Sequence, residues 1–419
     1  MMPPSLSLEQ AITVTVREEW GRILASLVKQ LKDFQLAEDC LQDAVLTAMT
    51  AWAKTGIPKA PDAWLLTTAR RRAIDRLRRD QSFSSKQAEL SYLADLDGQA
   101  QDPKTIEAIP DERLEMIFTC CHPAIEEKSR IALTLRTLGG LTTEEIAAAF
   151  LDQPSAMAQR LVRAKKKIKL AGISYRIPEA ADLPDRLSSV LHVLYLIFNE
   201  GYSARVGNSI TRSDLTDEAI RLARIMRHLM PEETEVAGLL ALMLHHDARR
   251  MSRISESGAM IPLDAQNRNR WDRGKIREGD AILHEILPLQ RIGPYQLQAA
   301  ISAAHNNSAS WQDTDWADVA GLYGLLYGLQ PSPVVRINQA MAVSYWKSPA
   351  LGLSMLEAAR GASPNEDLGR YQPYYAARAD LLARLGRGAE AKAAYQTAIE
   401  LSDNAEERAF LTRKAHETP

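Results

Sequence analysis

One predicted helix near the middle of the chain carries polar side chains at the spacing needed to read DNA. Apolar residues recur at intervals of three and four along the segment that starts at Pro154, so they share one face. These apolar residues are Met157, Leu161, Ala164 and Ile168. The opposite face carries Ser155, Gln159, Val162, Arg163 and Lys166. A helix with one face that packs and another that reaches base edges and phosphates is typical of a helix-turn-helix.

A shorter helix is predicted directly before it. Thr142 is suited to cap that helix, and Glu145 stands three residues later, which is the spacing of a capping box. Residues 151–153 interrupt the helical pattern, and Pro154 suits the first turn of the following helix. The sequence therefore predicts a helix-turn-helix over residues 141–169.

A second predicted helix, Trp64–Asp80, is rich in arginine. Its buried face is expected to contain Leu66, Ala69, Ala73 and Leu77. The arginines that point broadly the other way are Arg71, Arg72, Arg78 and Arg79. Only Asp75 interrupts them, so few pairs along the helix would neutralise these charges. A face that binds phosphates is therefore the better interpretation.

Charge distribution is more informative here than the total charge. The net charge is −2 over 419 residues, yet basic residues cluster at 70–79 and at 160–169. The length predicts two or more domains. The charge pattern predicts two local DNA contacts on an otherwise neutral or acidic body. We find no signal peptide and no apolar run long enough for a bilayer, and three cysteines form no disulfide framework. We therefore expect a cytoplasmic protein with no membrane contact.

Two clusters of potential metal ligands are interpreted as structural. Residues 120–122 read Cys-Cys-His and residues 245–247 read His-His-Asp. Adjacent side chains on a helix point about 100° apart, so they converge poorly on one ion. The chain also has no phosphate-binding glycine loop and no nucleophile elbow. We therefore predict no metal, no cofactor and no enzymatic activity.

The remaining chain is predicted to be helical as well. Residues 81–110 have no clear period and are interpreted as a linker. Near the C-terminus, Ala391, Tyr395 and Ala398 have the spacing of the small-aromatic-small signature of tetratricopeptide (TPR) helices. This pattern favours a helical solenoid, with a plain helix hairpin as the alternative.

The chain resembles the bacterial extracytoplasmic-function (ECF) RNA polymerase sigma factors of the sigma-70 family, in the branch with a TPR-like C-terminal extension. The segments that carry the resemblance are AEDCLQDAVLTAMTAW, PDAWLLTTARRRAIDRLRR, LTTEEIAAAFLDQPSAMAQRLVRAKKKI, LYLIFNEGYSA, LALMLHHDARR, GPYQLQAAI and PSPVVRINQA. The resemblance implies an all-α fold. Its parts would be a sigma-two domain (1–80), a linker (81–110), a sigma-four helix-turn-helix domain (111–175) and a TPR-like regulatory domain (185–419).

The same resemblance implies the partners and the residues that contact them. Core RNA polymerase would be bound by Glu38, Asp39, Gln42 and Asp43. The melted −10 element, with one base flipped out of the strand, would be bound by Lys59, Trp64, Arg70, Arg71, Arg72, Asp75, Arg76 and Arg79. Arg71 stands where the family more often has Asn, which leaves the base preference at −10 open.

The duplex −35 element would be read by the outward face of the recognition helix. The implied set is Thr142, Thr143, Ser155, Ala158, Gln159, Arg160, Val162, Arg163 and Lys166. Gln159 is suited to adenine, and Ala158 or Val162 to a thymine methyl group. Arg163 would contact a phosphate, as would Thr142 and Thr143 at their helix N-terminus. The family often has Arg where Ala158 stands, so we expect weaker guanine readout and a shifted promoter preference.

The C-terminal domain is expected to regulate the sigma core through a protein or a ligand. Two of its motifs stand out, and their residues are Asn199, Glu200, Tyr202, Asp264, Trp271 and Asp272. They form either a contact surface or a set of loop-fixing hydrogen bonds, of which we favour the second, with Trp271 anchored in the core. The alternative function is a helix-turn-helix regulator with a TPR-like sensor that does not join core polymerase.

Overall fold

The computed structural model describes residues 8–81, 111–150, 152–202, 210–253, 255, 261–362, 368–402 and 405–418. Helices and short 3-10 turns make up the regular structure of these residues, and no strand occurs among them. The prediction of an all-α chain is therefore confirmed. Residues 82–110, which hold most of the predicted linker, lie outside the described residues.

The first three helices pack against one another. They are α1 (Leu8–Leu31), α2 (Phe34–Thr55) and α3 (Pro61–Gln81). A short turn joins the first two, because Asp33 caps α2 by accepting hydrogen bonds from the backbone N–H groups of Gln35 and Leu36. Gly56, at φ +79°, ends α2, since this left-handed backbone suits glycine.

Four helices follow in the region of the predicted helix-turn-helix. They are α4 (Arg113–Cys120), α5 (Glu127–Thr137), α6 (Thr143–Ala149) and α7 (Pro154–Leu170). The capping box is confirmed, because the Thr142 hydroxyl accepts from the Glu145 N–H and the Glu145 carboxylate accepts from the Thr142 N–H. Pro154 lies in the first turn of α7, as expected. The buried residues of α7 are the four predicted ones, Met157, Leu161, Ala164 and Ile168.

The next helix packs on this helix-turn-helix region. Helix α8 (Leu183–Tyr202) lies against α4 and α5. The Arg186 side chain donates to the Phe118 carbonyl at 2.6 Å, and the Ser189 hydroxyl donates to the Cys121 carbonyl at 2.9 Å. Helix α9 (Ile210–Leu229) follows. The chain divides within α9 into two compact units, Met1–Leu222 and Ala223–Pro419, which we call the N-terminal and C-terminal units.

The C-terminal unit is a succession of helices that pack largely on their sequence neighbours. They are α10 (Thr234–Asp247), α11 (Arg273–Ile286), α12 (Pro294–Asn307), α13 (Trp316–Leu329), α14 (Pro333–Trp346), α15 (Pro349–Ala362), α16 (Gln372–Arg384), α17 (Gly388–Leu401) and α18 (Ala405–Glu417). Within the described part of the chain, no helix has the length and apolarity that crossing a bilayer requires.

The predicted helix pairs near the C-terminus are present. Helices α16 and α17 pack together across a turn at Gly386, whose φ is +72°. Ala391, Tyr395 and Ala398 are all buried in the core of this pair. Helices α14 and α15 also pack together. This geometry fits a stack of helix pairs, and its TPR-like character stays a prediction.

Candidate nucleic-acid interface

The outward face of α7 is open. Ser155, Ala158, Gln159, Arg163 and Lys166 are exposed, and the exposed fraction of Val162 is 60%. Among the described residues, neither the Gln159 amide nor the Arg163 guanidinium has a hydrogen-bond partner. These groups therefore lose no internal bond when they meet a base edge or a phosphate. This exposed face is what a recognition helix requires.

Arg160 differs from the rest of the predicted −35 set. Its guanidinium donates to the Asp152 carboxylate at 2.7 Å. This hydrogen bond lowers the pKa of Asp152. Arg160 is half-buried and tied to the turn before α7, so it braces the helix-turn-helix and has less freedom to reach DNA.

The N-terminus of α6 is less open to phosphate than the sequence implied. The Thr142 hydroxyl and N–H are both engaged in the capping box with Glu145. Glu144 and Glu145 place two carboxylates in the same first turn. Their negative charge opposes a phosphate at Thr142 and Thr143, so a phosphate contact there would have to displace the cap.

The arginines of α3 fall into two groups. Arg71, Arg72 and Arg79 are exposed. Arg70 is half-buried and donates from Nε to the Gln30 side-chain oxygen at 2.7 Å, and burial lowers its pKa. Arg70 is therefore less accessible to DNA than the exposed arginines, because its head group is held against α1, and its place in the −10 set stays a prediction. Arg76 also has internal partners.

The rest of the predicted −10 set divides into residues with internal partners and residues that are exposed. Arg76 forms ion pairs with Asp43 at 2.6 Å and with Asp39 at 3.5 Å. The Trp64 ring meets the Trp52 ring edge to face, with centroids 5.4 Å apart. Lys59, in the loop before α3, and Asp75, on its outer side, are both exposed.

The acidic start of α2 is divided between the interior and the surface. Glu38 is only 4% exposed. Its carboxylate is bound by the Arg136 guanidinium and, at 2.5 Å, by the Lys165 ammonium. The prediction that Glu38 lies on an accessible polymerase-binding surface is wrong for this arrangement, because cations from α5 and α7 cover it.

The other predicted polymerase-binding residues remain accessible. Gln42 is exposed, and Asp39 and Asp43 are partly exposed. Two apolar side chains that were not predicted extend this surface. Leu46 is 63% exposed and Met49 is 47% exposed. Apolar residues at i+4 and i+7 from Gln42 on an exposed face were a signal that could have found them.

Two residues of the predicted C-terminal motifs, Trp271 and Asp272, make contacts within the fold. Trp271 is 3% exposed, which confirms that it anchors its loop. The Arg268 guanidinium lies 4.7 Å from the centre of the Trp271 ring and donates to the Ser308 carbonyl at 2.8 Å. Asp272 caps α11, and its side chain accepts from Gly274 N and Lys275 N. These bonds support the loop-fixing interpretation over a contact surface.

The remaining residues of these motifs lie in two different places. Asp264 stands in a short 3-10 turn of the same loop. Asn199, Glu200 and Tyr202 lie in the last turn of α8, in the N-terminal unit, where the Tyr202 ring stacks on Phe198 at 5.3 Å.

The Cys-Cys-His and His-His-Asp clusters are bonded internally. The Cys121 thiol faces the Thr134 hydroxyl at 3.5 Å, and burial raises the pKa of Cys121 to about 11. His246 pairs through Nε2 with the Ser302 hydroxyl at 3.0 Å. Asp247 accepts from Lys275 and Arg250. Among the described residues, no three His, Cys, Asp or Glu side chains are grouped to hold a metal.

Comparisons with known proteins assign the two basic helices to defined regions. The model of sigma-70 region 2 matches residues 16–83, which contain α3, and that of sigma-70 region 4 matches residues 115–168, which contain most of α7. A family of unknown function (DUF6596) matches residues 186–287. The chain therefore has the two regions of a sigma-70-type transcription initiation factor.

The relatives extend this result. The chain is 31% identical over 142 residues to the ECF RNA polymerase sigma factor SigK of Mycobacterium ulcerans (strain Agy99), covering 33% of this chain and 74% of that protein. It is 27% identical over 151 residues to SigK of Mycobacterium tuberculosis (strain ATCC 25618 / H37Rv), covering 36% and 79%. An uncharacterized protein of Rhizobium meliloti (strain 1021), R00370, is 39% identical over 390 residues, covering 93% of this chain and 91% of that protein. The chain belongs to the ECF sigma factor family.

Proposed function

We propose that this protein directs core RNA polymerase to promoters with a −35 and a −10 element, and that its C-terminal extension modulates this activity. One observation carries the proposal. The two helices that fall within sigma regions 4 and 2, α7 and α3, both present exposed cationic side chains on the face opposite their buried residues. The sigma factor has no catalytic chemistry of its own in this proposal; the polymerase makes the RNA.

The −35 contact is assigned to α7. Gln159 and Arg163 are exposed and have no internal partner among the described residues. An amide is suited to the paired donor and acceptor of adenine in the major groove, and a guanidinium to a phosphate. The exposed Val162 supplies an apolar contact to a thymine methyl group.

The −10 contact is assigned to the exposed side of α3. Arg71, Arg72 and Arg79 supply positive charge for the backbone of a melted strand. Trp64 lies at the start of α3 and packs against Trp52 of α2. This contact fixes an aromatic surface near the proposed site of the melted DNA strand. Unstacking a base costs a few kcal/mol, which such contacts offset.

Polymerase binding is assigned to the accessible side of α2. Asp39, Gln42 and Asp43 provide polar and acidic contacts, and Leu46 and Met49 provide apolar area next to them. A mixed surface with an exposed apolar centre is typical of a protein–protein interface.

The C-terminal extension is proposed to be required for activity. Helix α8, which lies within the family match at 186–287, donates hydrogen bonds to the backbone of region 4 through Arg186 and Ser189. Because these donors satisfy carbonyls at the end of α4, the extension starts as part of the region 4 fold. Ending the chain after Leu170 should therefore abolish transcription, while ending it after Tyr202 should preserve the fold of region 4. Full transcription by the shorter chain would contradict this requirement.

The test of the sigma function is reconstitution with bacterial core polymerase. The purified chain is added to core enzyme on a pool of genomic fragments, and run-off transcripts are sequenced. Selective initiation that depends on the added chain supports the proposal. Binding to duplex DNA with neither core association nor initiation would instead support a conventional helix-turn-helix regulator.

A further inference from the structure

A cavity of about 730 Å³ lies within the N-terminal unit. It is bounded by the end of α1, the start of α2, the second half of α7 and the chain that follows α7. Small-molecule sites commonly have volumes of about 300–1,000 Å³, so this cavity has the capacity for a ligand. The proposed contacts with polymerase and promoter account for only a small part of its lining.

The walls of the cavity are apolar and fixed. Val28, Phe34, Ile168, Ile173 and Tyr175 contribute to them. The Phe34 and Tyr175 rings meet at 66° with centroids 6.3 Å apart. The Tyr175 hydroxyl donates to the carbonyl of Ala25 at 3.0 Å, which holds the ring in place. These walls are suited to the uncharged body of a ligand.

The polar lining is dominated by lysine. Its charged members are five lysines and one carboxylate: Lys29, Lys32, Lys165, Lys166, Lys169 and Asp33. Glu112 and Glu115 neutralise Lys29, and Glu38 neutralises Lys165. Lys32 and Lys166 are exposed and have no ion pair within the described residues. The cavity therefore has apolar walls with unneutralised positive charge on two sides.

We propose that this cavity binds an amphipathic anion, that is, a molecule with an apolar body and a carboxylate, sulfonate or phosphate head. The apolar walls would take the body, and Lys32 and Lys166 would take the head. DNA phosphates alone do not account for the arrangement, since a phosphate backbone needs positive charge on an open surface and gains nothing from recessed apolar walls.

Such a ligand would also affect promoter binding. Lys32 lies between α1 and α2, whereas Lys166 and Val162 lie on α7, so an occupant contacts both sigma regions. It would cover two residues assigned to the −35 face. This consequence rests on the proposed function, whereas ligand binding itself does not.

The test uses two dyes that differ in charge. The first is 8-anilinonaphthalene-1-sulfonate, an aromatic anion whose fluorescence rises in apolar surroundings. The second, N-phenyl-1-naphthylamine, has the same aromatic body without the sulfonate. Each is titrated into the purified full-length chain without polymerase or DNA, so a failed sigma function would not affect the result.

The variant pair removes charge at the cavity or away from it. The test variant is Lys32→Gln/Lys166→Gln. The control is Lys54→Gln/Lys167→Gln, which removes two exposed lysines of α2 and α7 that do not line the cavity. A third variant, Ser174→Trp, narrows the cavity at an exposed lining position.

The expected result is saturable binding of the sulfonate that weakens about tenfold in the test variant and is unchanged in the control. The neutral dye should lose affinity in Ser174→Trp but not in the test variant. Equal sulfonate affinity in the test and control variants would overturn the proposal. The proposal would also be overturned if Ser174→Trp left the binding of both dyes unchanged, because the dyes would then occupy another surface.

Discussion

Two regions of the molecule use their polar residues in opposite ways. In the N-terminal unit, the cationic side chains of α3 and α7 lie largely at the surface, and Arg163 and Lys166 have no internal partner among the described residues. In the C-terminal unit, His245 and Asn306 are fully buried, and the Asn306 amide donates to the His245 carbonyl at 2.8 Å. The exposed groups are available to a partner, whereas the buried ones hold the fold together.

This difference predicts different responses to mutation and pH. Removing an exposed, unpaired charge should change binding and leave stability unaltered. Protonating or removing a buried, bonded group should change stability first. Groups of both kinds are tested below, each against a matched control.

The largest effect should be acid destabilisation of the C-terminal unit. Burial lowers the pKa of His245 and of His305 from the ordinary 6.5 to about 4. The unfolded chain therefore takes up protons first as the pH falls, so stability present above pH 6.5 is lost towards pH 4. At pH 5 each histidine should cost about 2 kcal/mol. Hydrogen exchange of α10 and α12, corrected for intrinsic rates, measures this loss.

Burial sets the sign of this pH response, and neighbouring groups adjust its size. Asp280 favours protonated His245, but Arg249 opposes it, and burial is the largest influence. His246 also has a pKa well below 6.5 because it is buried. Helix α1 of the N-terminal unit serves as the internal control, with a smaller loss of protection. Equal protection of α10 at pH 7.5 and pH 5 would contradict the prediction.

The second effect concerns Glu38, a buried acid in the N-terminal unit. Glu38→Gln keeps the volume but leaves Arg136 and Lys165, whose side chains are 11% and 13% exposed, without their anion. We expect a loss of about 3 kcal/mol in the free energy that protects α2 and α7 from hydrogen exchange.

Asp43→Asn is the matched control for Glu38→Gln. The side chains of Asp43 and its partner Arg76 are 38% and 34% exposed, so this pair should contribute less than about 1 kcal/mol. If Glu38→Gln and Asp43→Asn lowered the protecting free energy equally, burial would not determine how much each ion pair stabilises the fold.

The third effect tests an exposed cation. Arg163→Ala should weaken binding of a −35 duplex about tenfold and reduce the slope of log K against log salt by about 0.9, as expected for one lost phosphate contact. The control is Arg176→Ala, which removes an exposed arginine beyond α7. If the slope of log K against log salt were unchanged in Arg163→Ala, Arg163 would not contact a phosphate.

The smallest effects separate two adjacent arginines of α3. Arg71 is exposed, and Arg71→Ala should weaken binding of a single-stranded −10 oligonucleotide about fivefold without changing stability. Arg70 is bonded to Gln30, and Arg70→Ala should lower the free energy of unfolding by about 1 kcal/mol with little effect on the oligonucleotide. Fluorescence anisotropy and urea unfolding measure the two quantities, and a reversed pattern would invalidate the assignment.

Local patterns in the sequence predicted α7 at the level of single residues. Its first-turn proline and its four buried positions follow from spacing over a few turns, as does the capping box of α6 before it, and the structure has all of them. The reason is physical: the period of a helix decides which side chains share a face, wherever the rest of the chain lies.

The environment of Glu38 could not be predicted in the same way. Its partners Arg136 and Lys165 are 98 and 127 residues away in sequence, so only the tertiary fold brings them together. A signal did exist: Glu38 stands three and seven residues before Leu41 and Val45, so a helix places it on the same face as these apolar residues. A carboxylate at such a position requires a cationic partner, although the sequence does not say which one.

The proposed function requires that α7 and α3 read different promoter elements. The direct measurement is initiation by reconstituted polymerase from a pool randomised at both elements, with the wild-type chain, Gln159→Ala and Arg71→Ala. We expect Gln159→Ala to change the selected sequence at −35 alone and Arg71→Ala to change it at −10 alone. The proposed function would be contradicted if the wild-type chain supported no selective initiation, or if both variants altered the same element.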